Sequence, residues 1–222
     1  MKEDNKAVIL LSGGLDSTTC LSIAVKDNSS IYALSFDYGQ RHKKELDCAK
    51  KVACYYNIEA HRIINLELFA GNALTDGNIA IPDYSSGNTI PSTYVPARNI
   101  LFLSYALSYA ETIVANRIYI GISSVDYSGY PDCRPDFVEA FQKVIDVGTK
   151  SGTEGDSIKI LTPLLFMSKA ETIKTAKASN APLHLTTSCY HGKEKACGLC
   201  DSCVLRLKGF KEAGFIDTIE YE

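Results

Sequence analysis

The chain of 222 residues lacks a long apolar run, and no stretch approaches the roughly 20 apolar residues that a membrane span needs. Its first residues, MKEDNKA, lack the apolar segment of a secretory signal peptide. It also lacks an excess of one charge, because the formal net charge is -3. A balanced charge argues against a general polyanion binder. These absences predict a cytoplasmic protein that has no membrane partner and no nucleic-acid partner.

Two widespread phosphate-binding motifs are missing as well. Neither the Walker pattern G-x-x-x-x-G-K-[ST] nor the dinucleotide pattern G-x-G-x-x-G occurs. The sequence contains no internal repeat, no low-complexity tract and no linker-like segment. With a hydrophobic content of 45%, a chain of this length is expected to bury one principal core.

Apolar runs typical of buried strands alternate with segments of helical periodicity. The predicted strands are 7–11, 31–36, 61–66, 117–121 and 158–163, and the predicted helices are 17–27, 43–56, 99–115, 135–148, 168–179 and 203–213. This alternation predicts an α/β fold with a parallel five-stranded sheet and helices on both faces. The segment 99–115 is apolar nearly all round, so we expect that helix to be buried on several sides. Ligands of such sheets bind beyond the carboxyl ends of the strands.

The stretch VILLSGGLDST, residues 8–18, places two glycines and short polar residues directly after the first strand. One interpretation is a tight turn followed by a helix cap. The other is a phosphate site made of backbone N–H groups at a helix start, with hydroxyl donors from Ser12 and Ser17. A carboxylate at Asp16 would repel phosphate unless Mg²⁺ bridges the two. We call residues 12–17 the glycine loop.

Four of the eight cysteines lie close together near the end of the chain, at Cys189, Cys197, Cys200 and Cys203. This spacing is typical of a closed Cys₄ site that holds structural Zn²⁺. The alternatives are an iron–sulfur cluster, a redox pair, or a metal site in which His191 replaces one cysteine. The remaining cysteines, Cys20, Cys48, Cys54 and Cys133, are expected to pack as small hydrophobic residues.

The pattern SGGLDS resembles the PP-loop of the ATP pyrophosphatase family, whose members cleave ATP between its α- and β-phosphates. Further blocks resemble one branch of it, the QueC family of queuosine biosynthesis. They are FDYGQRHKKELDCA (36–49), TYVPARNILFLSYALSYAE (93–111), GISSVDYSGYPDCRPDFVEAF (121–141), TPLLFMSKAETI (162–173) and the cysteine-rich segment. Together they cover the chain essentially from end to end.

The resemblance implies a fold like that of the adenine nucleotide alpha hydrolases, and an ATP-dependent ligase. The implied reaction converts 7-carboxy-7-deazaguanine and ammonia into the nitrile preQ0 through an adenylated carboxylate and an adenylated amide. It also implies Mg²⁺, one structural Zn²⁺ per subunit and a homodimer. We expect a PP-loop domain over residues 1–185 and a zinc-binding segment over 186–222, which we call the cysteine tail.

The site residues follow from the same blocks. Arg98 and Lys169 are predicted to stabilise charge on the phosphates, and Asp16 is the third predicted catalytic residue. The alternative for Arg98 is a surface salt bridge. The alternative for Lys169 is a solvated lysine in the first turn of a helix. Arg41 and His42 are candidates for the wall of the ATP site. The predicted ATP-binding residues are Leu10, Leu11, Ser12, Gly13, Gly14, Leu15, Asp16, Ser17, Thr18, Thr19 and Cys20.

A deazaguanine ring carries adjacent N–H donors, and a carboxylate is a suitable acceptor for them. Asp126, Asp132 and Asp136 lie in or beside the loop that follows the fourth predicted strand, with Tyr127 and Tyr130 available to stack on the ring. Asp132 is the favoured candidate of the three. The alternative for each is an ordinary loop or helix-cap residue.

Three other functions are compatible with parts of the pattern. A PP-loop enzyme that modifies tRNA, either a thiolase or a lysidine-type ligase, is disfavoured by the charge and by the compact length. An amide ligase of the asparagine or NAD type would stop at the amide. A zinc-dependent binding module would need no intact glycine loop.

Overall fold

The computed structural model describes residues 5–28, 30–67, 71–84, 90–123 and 130–222. Its five strands form one sheet of order β3-β2-β1-β4-β5, and every neighbouring pair is parallel. This confirms the predicted sheet. The strands are β1 (Lys6–Leu10), β2 (Ser30–Asp37), β3 (Ala60–Asn65), β4 (Arg117–Tyr119) and β5 (Lys159–Leu161).

Six of the seven described helices agree with the predicted segments to within a few residues, and the short helix at Lys150–Thr153 was not predicted. The described helices are α1 (Leu15–Asp27), α2 (Lys44–Tyr55), α3 (Arg98–Thr112), α4 (Pro135–Gly148), α5 (Lys150–Thr153), α6 (Lys169–Ala178) and α7 (Asp201–Ala213). Two short 3₁₀ turns occur at Pro131–Cys133 and Leu183–Leu185. No helix in the described ranges combines the length and the apolar character that crossing a bilayer requires.

Alternate side chains of β1 point to opposite faces of the sheet and enter different cores. Val8 and Leu10 join the core that α3 and α4 cover. Ala7 and Ile9 join the core that α1 and α2 cover. Because both faces are buried, the strands read as continuous apolar runs in the sequence, as is usual for parallel sheets.

The helix α3 departs from its prediction. Only one side of α3 is buried, the side that carries Leu103, Ala106 and Ala110. Leu101 and Tyr105 on the other side are exposed. The prediction of burial on several sides is therefore wrong. The helix lies in the outer layer against one sheet face, so its apolar outer side chains meet solvent in the single chain.

The order of the strands fixes where a ligand can bind. The strand β1 lies between β2 and β4, and the chain leaves β1 on the side of β2 and later returns to β4 on the other side. Such a reversal opens a crevice beyond the carboxyl ends of the two central strands. The glycine loop follows β1 directly and therefore lies at this crevice.

The cysteine tail packs on the body of the molecule. Phe210 of α7 shares a core with Leu15 of α1 and with Ile173 of α6. Arg206 of α7 is 1% exposed and binds Asp217 through two hydrogen bonds of 2.6 and 2.9 Å. The division at residue 185 stays a prediction, since the tail shares this core with the preceding residues.

We expect Asp217→Asn to lower the free energy of unfolding by about 3 to 5 kcal/mol at neutral pH, because it leaves the Arg206 charge buried and unpaired. Burial acts to raise the pKa of Asp217, but Arg206 and the hydroxyl of Tyr221 outweigh it, so the pKa lies below its ordinary value. The stabilisation is therefore complete above the unfolded pKa of about 4 and is lost as the pH falls through the lower folded pKa. Urea unfolding at several pH values measures both effects, and the exposed control Asp156→Asn should change stability by less than about 0.5 kcal/mol.

Candidate functional site

The glycine loop is packed tightly between two neighbouring elements. Gly13 has a φ of +82°, and a Cβ there would lie 2.6 Å from the backbone nitrogen of Ala49 in α2. A Cβ at Gly121, just after β4, would lie 2.8 Å from the carbonyl oxygen of Asp16 and 3.0 Å from the nitrogen of Ser17. Both glycines are thus required by close backbone contacts, which hold the start of α1 in place.

Hydroxyl groups and free backbone donors face the crevice at this point. Ser12 Oγ and Ser17 Oγ lie 3.0 Å apart, and the N–H of Gly14 donates to Ser12 Oγ at 3.3 Å. Within the described residues no side chain caps α1. The first N–H groups of a helix have no partner inside the helix, so this start of α1 can bind an anion.

The structure brings two of the predicted catalytic residues into contact. Lys169 Nζ lies 2.9 and 2.8 Å from the two carboxylate oxygens of Asp16. Lys169 begins α6, whose start is fixed by a capping box of Ser168 and Glu171. The lysine is mostly buried, so the alternative of a solvated first-turn lysine does not describe it. The pair neutralises the one anion of the glycine loop.

The third predicted catalytic residue, Arg98, begins α3 on the opposite side of the crevice. Its side chain lies near Tyr38, which also lines the cavity. Burial acts to lower the pKa of Arg98, but Tyr38, Tyr130 and Asp132 outweigh it and raise the pKa above its ordinary value. The side chain therefore provides a permanent positive charge inside the site.

These groups surround a central cavity with a volume of about 270 Å³. Apolar side chains of β2 and α3 form much of the wall, including Phe36 and Phe102, whose rings stack at 4.0 Å. Cys133 also lines it, but burial raises the pKa of its thiol to about 12, so it stays protonated and is no nucleophile. The charged or titratable His, Lys, Arg and acidic side chains of the described lining are Asp16, His42, Glu45, Arg98, Lys169 and Arg206.

The predicted ATP-binding residues divide into two groups. Leu10, Leu11, Ser12, Gly14, Leu15, Asp16 and Ser17 line the cavity. Gly13 lies against α2, and Thr18, Thr19 and Cys20 lie in the buried body of α1. His42 lines the cavity, whereas Arg41 donates a hydrogen bond to the carbonyl of Ile79 on the surface. A direct contact with ATP stays a prediction for all of them.

The three aspartates predicted to bind the substrate ring have different positions. Asp126 lies outside the described residues. The carboxylate of Asp132 is buried and accepts a hydrogen bond of 3.0 Å from the N–H of Asn99, in the first turn of α3. Asp136 is exposed in the first turn of α4. Neither Asp132 nor Asp136 is in the cavity lining, and their role in substrate binding stays a prediction.

The four clustered cysteines form a candidate metal centre. Their sulfur atoms all lie within 4.8 Å of one another, and His191 is not part of the group. Gly198, with a φ of +74°, makes the turn that lets Cys197 and Cys200 approach from one short segment. Hydrogen bonds from the thiols of Cys200 and Cys203 hold the pKa of Cys189 below its usual range. Four thiolates suit a tetrahedral metal ion without an open position.

The cysteine tail also builds one wall of the central cavity, which sequence reasoning missed. Thr187, Ser188 and Tyr190 flank the first cysteine and line the cavity. Arg206 reaches the same wall from α7, which begins directly after Cys200. The sequence shows that these residues adjoin the cysteines but not that the tail folds back over the crevice.

We expect the purified chain to carry one tightly bound metal ion, and Cys200→Ser to reduce the metal content below about a tenth of one ion per chain. Cys200 is fully buried in the group of sulfur atoms, so its loss leaves an open and weaker site. Inductively coupled plasma mass spectrometry measures the metal-to-protein ratio. The control is Cys54→Ser, because Cys54 is exposed on α2, so the prediction that it packs as a small hydrophobic residue is wrong. Full metal content in Cys200→Ser would contradict the assignment.

Comparison with known proteins places the chain among relatives of similar length. The family model described as "Queuosine biosynthesis protein QueC" matches residues 6–214. The chain is 64% identical over 216 residues to a 7-cyano-7-deazaguanine synthase of Acetivibrio thermocellus, covering 97% of each chain. It is 53% identical over 220 residues to the protein of that name from Coxiella burnetii, again with 97% of each covered.

Among solved structures, an NMN synthetase from Francisella tularensis matches with a TM-score of 0.49 and 17% identity, covering 88% of this chain and 70% of that one. The family match spans nearly the whole chain and includes both the glycine loop and the four cysteines. The chain therefore belongs to the QueC family of queuosine biosynthesis proteins.

Proposed function

We propose that the chain is a 7-cyano-7-deazaguanine synthase, an ATP-dependent carbon–nitrogen ligase. It converts 7-carboxy-7-deazaguanine and ammonia into 7-cyano-7-deazaguanine. One observation carries the proposal beyond the family match: the open start of α1 faces a cavity that also holds Arg98 and Lys169. This arrangement suits a site that must bind a polyphosphate and a small anionic substrate at once.

The glycine loop would hold the phosphates of ATP through backbone N–H groups and the hydroxyls of Ser12 and Ser17. Arg98 and Lys169 would stabilise the negative charge that develops on the leaving pyrophosphate. Asp16 is the residue of the glycine loop that would hold Mg²⁺, which would supply positive charge against the phosphates. In the free chain Lys169 neutralises that carboxylate instead.

The chemistry requires positioning more than a reactive side chain. The substrate carboxylate attacks the α-phosphorus of ATP, and pyrophosphate leaves. Ammonia displaces AMP from the adenylated acid to give the amide. The amide oxygen then attacks a second ATP, and loss of AMP and of the remaining N–H protons gives the nitrile. The apolar wall around Phe36 and Phe102 limits the access of water to these intermediates.

We also propose that the metal of the cysteine tail is Zn²⁺ with a structural role, since four thiolates leave no position for water. A PP-loop domain over residues 1–185 with a zinc-binding tail over 186–222 remains our division of the chain. The enzyme would act in the cytoplasm as a homodimer, as the resemblance implies. Exposed apolar side chains on α3 and α4, such as Leu101, Tyr105, Val144 and Val147, support a subunit contact.

The proposal predicts that the chain, mixed with ATP, Mg²⁺, ammonium and 7-carboxy-7-deazaguanine, forms the nitrile with two AMP and two pyrophosphate per product. Mass spectrometry of the products measures this. A reaction that stops at the amide would favour an amide ligase of the NAD type. Substrate-independent ATP cleavage, or modification of tRNA in place of the free base, would contradict the proposal.

A second prediction concerns the contact that positions Lys169. Gly209 lies inside α7, and a Cβ there would come within 2.9 Å of the Cβ of Lys169. Gly209→Ala should therefore displace the lysine and lower substrate-dependent pyrophosphate release by roughly 10- to 100-fold. Alanine stabilises a helix by about 1 kcal/mol relative to glycine, so the expected loss of activity would not come from a less stable α7.

A double-mutant cycle tests whether this effect acts through the lysine. In a Lys169→Ala background, Gly209→Ala should lower the rate by less than about threefold further. Lys208→Ala is the matched control on α7, because Lys208 is exposed and contacts only Glu212 across 3.8 Å among the described ion pairs. A wild-type rate in Gly209→Ala would contradict the positioning role.

A further inference from the structure

The proposed substrate has a recognition edge that ATP lacks. A guanine-type ring presents its N1–H and its exocyclic amine side by side, which are two adjacent donors. The matching edge of adenine presents one donor and one acceptor. A carboxylate only accepts hydrogen bonds, through two oxygens, so it fits the guanine-type edge with both oxygens. A carboxylate in the cavity lining can therefore select this ring over adenine.

The described lining of the cavity contains two carboxylates, Asp16 and Glu45. Both oxygens of Asp16 are bound by Lys169, beside the start of α1 where phosphate is expected. Asp16 therefore belongs to the phosphate end of the cavity. Glu45 lies in the first turn of α2, and its side chain is only 16% exposed.

The side chain of Glu45 is fixed by two neighbours from the segment that follows β2. Gln40 Nε2 donates to Oε1 at 3.0 Å, and His42 Nε2 lies 3.0 Å from Oε2. Gln40 is itself held, because it donates to the carbonyl of Phe36 and accepts from the N–H of Tyr38. Each oxygen of an ionised carboxylate has about two acceptor sites, so each retains one after these contacts.

A positive charge lies in the same part of the cavity. Of the lysine and arginine side chains in the described lining, Lys169 and Arg206 are paired with carboxylates. Arg98 lines the same cavity and has no ion-pair partner among the described residues. The rings of Tyr38 and Tyr130 line the wall there.

We propose that Glu45 binds the N1–H and the exocyclic amine of a guanine-type ring, and that Arg98 faces the anionic end of the bound ligand. Glu45 is thus the residue that determines ring specificity, and Gln40 and His42 position its carboxylate. This inference rests on the proposed function, because it deepens the assignment of the substrate at that same site.

The test compares two ligands in wild-type protein and in Glu45→Gln. The ligands are 7-carboxy-7-deazaguanine and the same bicyclic acid without its exocyclic amine, and isothermal titration calorimetry in the absence of ATP measures their affinities. Wild type should prefer the natural acid by at least about 30-fold, because a site built for a donor rejects the analogue that lacks it. In Glu45→Gln the preference should fall below about threefold, because the amide retains only one acceptor oxygen.

Two controls separate recognition from a general structural loss. Asp47→Asn changes an exposed carboxylate in the same turn of α2 and should keep the wild-type preference. ATP with Mg²⁺ should bind to Glu45→Gln within about threefold of its wild-type affinity, because the glycine loop is unchanged. The wild-type comparison of the two ligands needs no variant, so it stays decisive if Glu45→Gln does not fold.

The outcomes distinguish the inference from the function on which it rests. Equal affinity of wild type for the two ligands, or a full preference in Glu45→Gln, would overturn the assignment of Glu45 even while wild type still makes the nitrile. If wild type neither binds the acid nor forms the nitrile, the proposed function fails and the assignment fails with it.

Discussion

The arrangement of the site depends on the close contact between the first residues of α1 and the elements on either side of them. On one side the backbone of α2 approaches Gly13, and on the other side Gly121 lets the end of β4 approach Asp16. A side chain at either glycine would collide with backbone atoms, which cannot move away as a flexible side chain can. The α1 start is therefore fixed by main-chain packing before any ligand binds. Such preorganisation lets backbone donors stabilise phosphate charge without a large rearrangement.

Around this fixed point the charges are arranged in separate pairs. Lys169 neutralises Asp16 at the start of α1, and Arg206 neutralises Asp217 within the cysteine tail. Arg98 lines the cavity and has no carboxylate partner among the described residues, so its charge is available to an anion that enters the cavity. The tail has a double role in this arrangement, because α7 supplies the buried Arg206 and, through Gly209, the space for the stem of Lys169. The segment that carries the four cysteines thereby also positions a side chain of the cavity wall.

Much of the fold was predictable because its determinants are local or periodic. The parallel sheet follows from apolar runs that alternate with helices, and the Cys₄ group follows from its spacing in the chain. The burial of the outer side of α3 was predicted wrongly, because an apolar helix has the same sequence pattern whether a neighbouring element or solvent covers it. The strand β4 ends earlier than its apolar run, at Tyr119, because Gly121 must adapt to α1. Such long-range contacts leave no trace in local periodicity.

The site was predictable at the glycine loop and less so elsewhere. The glycine loop, Arg98 and Lys169 were identified by motif, and the structure collects them around one cavity. Glu45 was passed over because it reads as a helix-start residue in a charged segment, and only the tertiary fold shows that its side chain is mostly shielded from solvent. Conversely, Asp132 stands in a promising loop, but its carboxylate accepts a hydrogen bond at the start of α3. For carboxylates, burial and orientation decide the role, and sequence shows neither.

The backbone contact between Gly13 and the first turn of α2 has a further consequence. The backbone carbonyl of Glu45 packs against Gly13 of the glycine loop. The side chain of Glu45, in contrast, accepts a hydrogen bond from Gln40 at the cavity wall. A change of side chain at this position leaves the carbonyl in place. If Glu45 binds the ring as we propose, a substitution at this position changes the ring preference and leaves the backbone contact with the glycine loop intact. This separation of main-chain and side-chain tasks offers a simple route by which one scaffold can serve several acids.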